Sequence, residues 1–204
     1  MGRVQVQQGR LMRFTVLTVI VMAGVPISAM GQHAGPAPLS ARQAPIVPLK
    51  NPPGDIADTQ TFVEYHSSLG FSLKAPEGWS RREQPGGVAF TDKYGSVTVD
   101  VTDASSAPTV ATAKQAQAAT LEALPNAVAV SKVVMASLPG GPATLIAYAS
   151  NSAPNAVTGK AIRLENDQYL FWRNGKLATV TLSAPFGADN VDQWQLIAKS
   201  FRWN

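Results

Sequence analysis

The dipeptide Asn174-Gly175 constrains this chain more than any other feature, because it tolerates the positive φ angles that tight β-hairpin turns require. On either side, residues 160–173 and 176–184 are rich in β-branched and aromatic side chains, the composition of paired strands. After the turn, Ala178, Val180 and Leu182 alternate with Thr179, Thr181 and Ser183, the period of a half-buried strand. Before it, Ile162, Leu164, Leu170 and Trp172 share one parity, and Arg163, Glu165, Asp167 and Arg173 take the other. Turn length decides how these sets meet. A two-residue loop sets Phe171 opposite Ala178, whereas a three-residue loop with Gly175 in a bulge sets Trp172 there. The bulged register gathers the apolar sets on one face and is the expectation. Asn166 and Gln168 interrupt that face, so a bend within the strand is also consistent with the pattern.

The 204 residues suffice for one domain with extensions and a sizeable core. A net charge of +4 points at first to an anionic partner. Arg3, Arg10 and Arg13, however, precede the first apolar run, and no acidic residue occurs before Asp55. Without those three of the 17 basic residues, 14 face 13 acidic ones, a balance that speaks against nucleic acid as a partner. The absence of cysteine excludes disulfides, thiolate nucleophiles, cysteine-ligated metal centres and an acylated-cysteine anchor. Residues 10–30 read RLMRFTVLTVIVMAGVPISAM: a basic flank, an apolar run, then small residues, the layout of a secretory signal peptide. Ala29-Met30-Gly31 suits cleavage before Gln32. Residues 1–31 are therefore expected to be a signal peptide or, uncut, a signal anchor, since residues 14–31 approach the length that crosses a bilayer. In both cases the remainder is expected to be extracytoplasmic, touching membrane only through an uncleaved segment.

Residues 32–58 hold Pro36, Pro38, Pro45, Pro48, Pro52 and Pro53 and no aromatic residue, which predicts a Pro-rich disordered linker. The folded domain is expected over 59–204. Short strands are predicted at 62–65 and 71–74, with Trp79 plugging the core after Pro76-Glu77-Gly78. Residues 88–91 and 96–103 read as a hairpin with Val97, Val99 and Val101 inward. A helix over 108–124 has Ser106 or Thr109 as cap and Pro125 as stop. Its inner face would be Val110, Ala113, Leu121 and Leu124, broken by Gln117. Strands follow at 128–137 and 144–150, joined through Leu138-Pro139-Gly140-Gly141-Pro142. A last helix over 190–201 places Val191, Trp194, Ile197 and Phe201 on one face, with Asp189 or Asn190 as cap. Strands, helix, four strands, helix is the order of an α+β sandwich with a largely antiparallel sheet.

Chemistry is sparse. His66 is the only histidine of the domain and stands at a strand end beside Ser67 and Ser68, with no nucleophile elbow nearby, so a solvated role is expected. Asp100 and Asp103 fall on opposite faces of a strand, and neither calcium-loop nor phosphate-cradling patterns occur. No metal site and no cofactor are expected. A carboxylate pair for hydrolysis could be drawn from Glu64, Glu77, Glu83, Asp100, Glu165 and Asp167, which the sequence alone does not bring together. In the bulged register Arg163, Tyr169, Phe171 and Arg173 share an outward face with Glu165 and Asp167. That face is either a solvated surface of ion pairs or a recognition surface, since Arg and Tyr are favoured interface anchors.

The motif order resembles the Mog/PsbP-like fold. Phe71-Ser72-Leu73 followed by Pro76, Gly78 and Trp79 is similar to its opening strand and Pro-x-Gly-Trp. The glycine-containing link at 138–141, the Asn174-Gly175 hairpin, Leu182-Ser183-Ala184-Pro185 and a closing Ser200-Phe201-Arg202-Trp203 are similar as well. The resemblance is nearest to secreted bacterial PsbP-like proteins and more distant to LpqN-type lipoproteins, from which this chain departs in lacking the lipid-bearing cysteine. It implies an α/β/α sandwich and a small non-catalytic domain, since relatives serve as photosystem accessory, Ran-binding or envelope proteins. No functional residue is carried over from it. The expectation is an extracytoplasmic, non-catalytic protein-interaction module of the cell envelope. A carrier of a small apolar molecule such as a lipid, and a carboxylate-based hydrolase, are the alternatives.

Overall fold

The computed structural model describes residues 42–204. The expected signal segment and residues 32–41 of the expected linker lie outside the described residues.

Two antiparallel sheets carry the domain. Strands β1 (Phe62–Ser67), β2 (Phe71–Pro76) and β10 (Arg202–Trp203) form a small sheet in the order β1-β2-β10. The main sheet contains β3 (Ser80–Gln84), β4 (Gly87–Thr91), β5 (Ser96–Asp103), β6 (Ala129–Leu138), β7 (Gly141–Asn151), β8 (Arg163–Arg173) and β9 (Lys176–Pro185). Its spatial order is β3-β4-β5-β9-β8-β7-β6. Helical turns α1 (Val110–Ala113) and α2 (Ala119–Glu122), joined by a π-helical stretch Lys114–Ala118, cover one face. Helix α3 (Val191–Ser200) and the small sheet cover the other. The result is the expected α+β fold, an α/β/α sandwich.

The central hairpin turns differently from the preferred register. Arg173 pairs with Lys176 and Phe171 with Ala178, so the loop is the two-residue Asn174-Gly175. Both turn residues have positive φ, 48° and 81°. The reason is that both faces of β8 are covered. Phe171, Tyr169, Ala178, Val180 and Leu182 join the larger core beneath α3, while Leu170 and Leu177, with Trp172 beside them, pack under α1 and α2. Two buried faces put apolar residues on both parities, and a pattern that assumes one buried face then selects the wrong turn.

That shift relocates the expected surface residues. Arg163, Tyr169 and Phe171 are buried, at 7%, 6% and 1% exposure. Arg173 alone of the four is exposed, its guanidinium donating to the Trp203 carbonyl at 2.9 Å. They do not form an outward recognition face.

Local chemistry explains the helices. Thr109 caps α1 through a capping box, its hydroxyl accepting from Thr112 N–H at 3.2 Å while Thr112 Oγ1 accepts from Thr109 N–H at 2.8 Å. The π-helical stretch shifts the inner face, so Ala113 and Ala118 are buried, Gln117 turns toward the sheet, and Leu124 is left exposed. In α3, Trp194, Ile197 and Ala198 face the core, while Val191, expected inward, is 62% exposed. Asn190 occupies the cap position, yet its side chain serves another segment, accepting from Ile56 N–H at 2.6 Å and donating to Gly54 O at 3.0 Å.

Residues 42–58, the described part of the expected linker, lie along the domain. Asn151 Oδ1 accepts from Ile46 N–H, its amide donates to Ala44 O, and Gln43 N–H donates to Pro125 O. At the other end Asp55 accepts from Asp189 N–H and Asp58 from Gln193. Without a strand or helix of their own, these residues place the backbone groups of Ala44, Ile46, Gly54 and Ile56 on the side chains of Asn151 and Asn190.

Candidate functional site

Two features of the main sheet are left open by the layers that cover it. The first is the outer edge of β6, which has no strand partner among the described residues. The β6–β7 turn fixes which groups are free. Leu138 pairs with Gly141 across Pro139-Gly140, and Ser137 faces Pro142. Proline has no N–H, so Ser137–Pro142 must be a non-hydrogen-bonded pair, and the alternation then runs down the strand. Leu138, Ala136 and Val134 bond inward to β7, leaving the N–H and C=O groups of Ser137, Met135 and Val133 pointing outward. Met135 is 52% exposed there, with Val133 and Val134 half-buried beside it. The other edge is unlike this. Every residue of β3 is exposed and its sequence SRREQ is charged, a guarded edge of the kind that discourages pairing. On β6 such guards occur only at the first turn-distal end, where Ser131 forms a bulge and Lys132 follows.

The second feature is a cleft on the α3 face, where the first turn of α3 stands off β6, β7 and β8. Two adjoining hollows of about 330 and 420 Å³ share Glu165, Asp167 and Trp194. Lys132, Tyr169, Asn190 and Gln195 line one, and Ser131, Ala147, Ala149 and Phe186 line the other. Register accounts for the grouping: Glu165 lies across from Ala149 and Ala184, and Asp167 across from Ala147 and Leu182. Alanines at three of these four positions leave space over the two carboxylates, and the i, i+2 spacing of Glu165 and Asp167 points both to one face.

Burial raises the pKa of Glu165, against a hydrogen bond from the Gly187 backbone and with a further rise from the Asp167 charge. Burial also raises that of Asp167, which the Lys132 charge and the Tyr169 hydroxyl pull back down. Tyr169 is pushed up to about 12 by burial, then by the charge and hydrogen bond of Asp167. Two desolvated carboxylates thus face one ammonium. Of the other candidate carboxylates, Glu64, Glu77, Glu83 and Asp100 are exposed on separate elements and join no cluster. His66 is exposed, 3.8 Å from Glu64. Among the described residues no group of three metal-ligating side chains forms.

Sequence reasoning grouped Glu165 with Asp167 but missed Lys132, Trp194 and Gln195 as their neighbours. It placed Trp194 in the core, where the indole does sit, at 9% exposure, with one side forming the cleft wall.

No protein-family model matches the chain, and no curated protein matches it in sequence. Solved structures do. The chain is similar to cyanobacterial PsbP (CyanoP) from Synechocystis sp. PCC 6803, at 15% identity over 74% of this chain and 98% of that one, with a TM-score of 0.48. It is similar to LpqN of Mycobacterium tuberculosis, a protein involved in cell envelope biogenesis, at 14% identity over 71% and 91%, with a TM-score of 0.45. The Ran-binding protein Mog1p of Saccharomyces cerevisiae gives 14% identity over 71% and 96%, with a TM-score of 0.45. Of a Bacteroides thetaiotaomicron protein the chain spans only 48%, at 11% identity and a TM-score of 0.43. These likenesses, at low identity, concern the fold alone. No partner or activity comes to this chain with it.

Proposed function

We propose that the chain is a non-catalytic binding domain of the cell envelope that recruits a protein by pairing an extended segment of it with β6. The observation that carries this reading is the row of unpaired backbone groups at Val133, Met135 and Ser137 beside an exposed methionine. Free donors and acceptors along a low-charge strand give an added strand its affinity, and flanking side chains give it selectivity. The extracytoplasmic setting rests on the basic flank and apolar run of residues 10–30. Among the described residues no helix is long and apolar enough to cross a membrane.

The alternatives fit less well. The hollow beneath α1 and α2, where Ala116, Leu121 and Leu170 mix with Gln117, Thr120, Gln168 and Thr179, is an open depression of about 290 Å³ and not the enclosed apolar cavity that a lipid carrier needs. A hydrolytic carboxylate pair needs an acid and a base whose surroundings push their acidities apart. For Glu165 and Asp167 the largest influence is the same, burial, and it raises the pKa of both.

The test is a photo-crosslinking residue at Ser137, introduced with and without Met135→Pro, in cells of the source organism. One partner adduct that disappears with the proline is the expected result. No adduct, an adduct that survives the proline, or one of twice the chain's own mass would overturn the reading, the last in favour of self-pairing.

A further inference from the structure

We infer that the cleft over Glu165 and Asp167 is a second binding site, for a protonated amine or guanidinium. The site is distinct from the β6 edge, although Lys132 of β6 lines it. Glu165 and Asp167 lie two strands in from that edge, about 10 Å across the sheet, beyond the reach of a side chain from an added strand.

The shape comes first. The hollow bounded by Lys132, Tyr169, Asn190 and Trp194 holds about 330 Å³, enough for the end of one basic side chain or a small amine. Its floor is the two carboxylates on one strand face, and the Trp194 indole lines its wall, a combination of charge and aromatic surface that suits an organic cation. Phe186, 40% exposed, adds a second aromatic at the rim of the adjoining hollow.

Charge comes second. From β6 the cleft receives Lys132, from β8 Glu165, Asp167 and Tyr169, and from α3 and its cap only the uncharged Asn190, Val191, Trp194 and Gln195. The Gly187 N–H helps Glu165. One ammonium, whose charge acts on Asp167, therefore stands against two partly desolvated carboxylates, and a cation entering the cleft restores the balance. Such a pair costs the fold stability when it is empty, as binding sites commonly do. A bare divalent ion is less suited, since hard cations take six or more oxygens and among the described residues no third acid joins the two.

The experiment is a titration of the purified protein followed through backbone amide shifts. The probes are acetyl-arginine amide, acetyl-lysine amide, cadaverine and calcium chloride alone. Saturable shifts confined to residues 165–169 and 186–195 are expected with an organic cation. A response to the acetylated amides places the cation on a polypeptide, and a response to cadaverine alone places it on a free amine. Glu165→Gln with Asp167→Asn is expected to weaken binding roughly tenfold or more, and Lys132→Gln to tighten it several-fold. The inference is overturned if no organic cation shifts these residues, if the double variant binds as the parent does, or if calcium alone gives the same shifts. Absence of any adduct at Ser137 in the parent chain, with these responses intact, would sink the edge reading and leave the cleft standing.

Discussion

The rings of Phe171 and Phe201 stack with centroids 4.2 Å apart and planes inclined by 21°. Phe171 comes from the central hairpin and Phe201 from the end of α3, so this contact ties the last helix to the middle of the sheet. The stack continues to Tyr169 at 6.3 Å on one side and to Phe71 of the small sheet at 5.8 Å on the other. Both Phe171 and Phe201 are fully buried. Phe201→Ala is expected to cost about 3–5 kcal/mol and lower the melting temperature by on the order of 10 °C, read by thermal denaturation.

The β6–β7 turn is pressed against the same point. A Cβ built on Gly140 would run into the Phe201 carbonyl, which is backbone and has little freedom to move. Gly140→Ala should therefore destabilise by about 1–3 kcal/mol, as overpacking does. Ala at Gly141, where the space is open and only the φ of 117° is strained, serves as comparison. Equal melting of the Gly140 variant and the parent would show that the turn does not dock there.

Proline substitutions separate the two sides of β6. Met135→Pro removes an outward N–H and should leave melting nearly unchanged, whereas Val134→Pro breaks the ladder to β7 and should cost about 3 kcal/mol or more. The reverse order would mean that the hydrogen-bonding alternation along β6 has been assigned the wrong way round.

The cleft makes stability depend on pH. Glu165 and Asp167 have raised folded-state values, so between the ordinary carboxylate range and those values the folded chain holds more protons than the unfolded one. Stability is then full at the acidic end of that window and falls as pH rises through it. The Lys132 charge and the Tyr169 hydroxyl already act against the shift on Asp167. Asp167→Asn is expected to raise the melting temperature at pH 7 and to make no difference near pH 4. Destabilisation at pH 7 would mean that Asp167 is held by a partner strong enough to reward its charge.

Most of the fold could be read from periodicity and turn chemistry. The β4–β5 and β6–β7 hairpins, both helix positions and the Asn174-Gly175 turn follow from residues that have one physical use each. Strand β3 could not, because SRREQ has no apolar residue to alternate and forms only by pairing with β4. The register of β8 failed because burial on both faces erases the parity signal at Phe171 and Trp172. The same error made surface residues of Arg163, Tyr169 and Phe171. Arg163 is buried with neutral partners, the Ala127 carbonyl at 2.7 Å and Asn151 at 3.1 Å. Composition suggests no such place for an arginine. The cleft was half legible. Spacing put Glu165 and Asp167 on one face, but Lys132 and Trp194 arrive from strands and helices far along the chain.

Amide hydrogen exchange along β6, with the protein alone and again with the solubilised envelope of its source, tests the central claim most directly. The account predicts that Val133, Met135 and Ser137 exchange rapidly in the isolated protein while Val134, Ala136 and Leu138 are protected. Added envelope should then slow the first set. Protection of Val133, Met135 and Ser137 in the protein alone, or unchanged exchange with the envelope present, would contradict it.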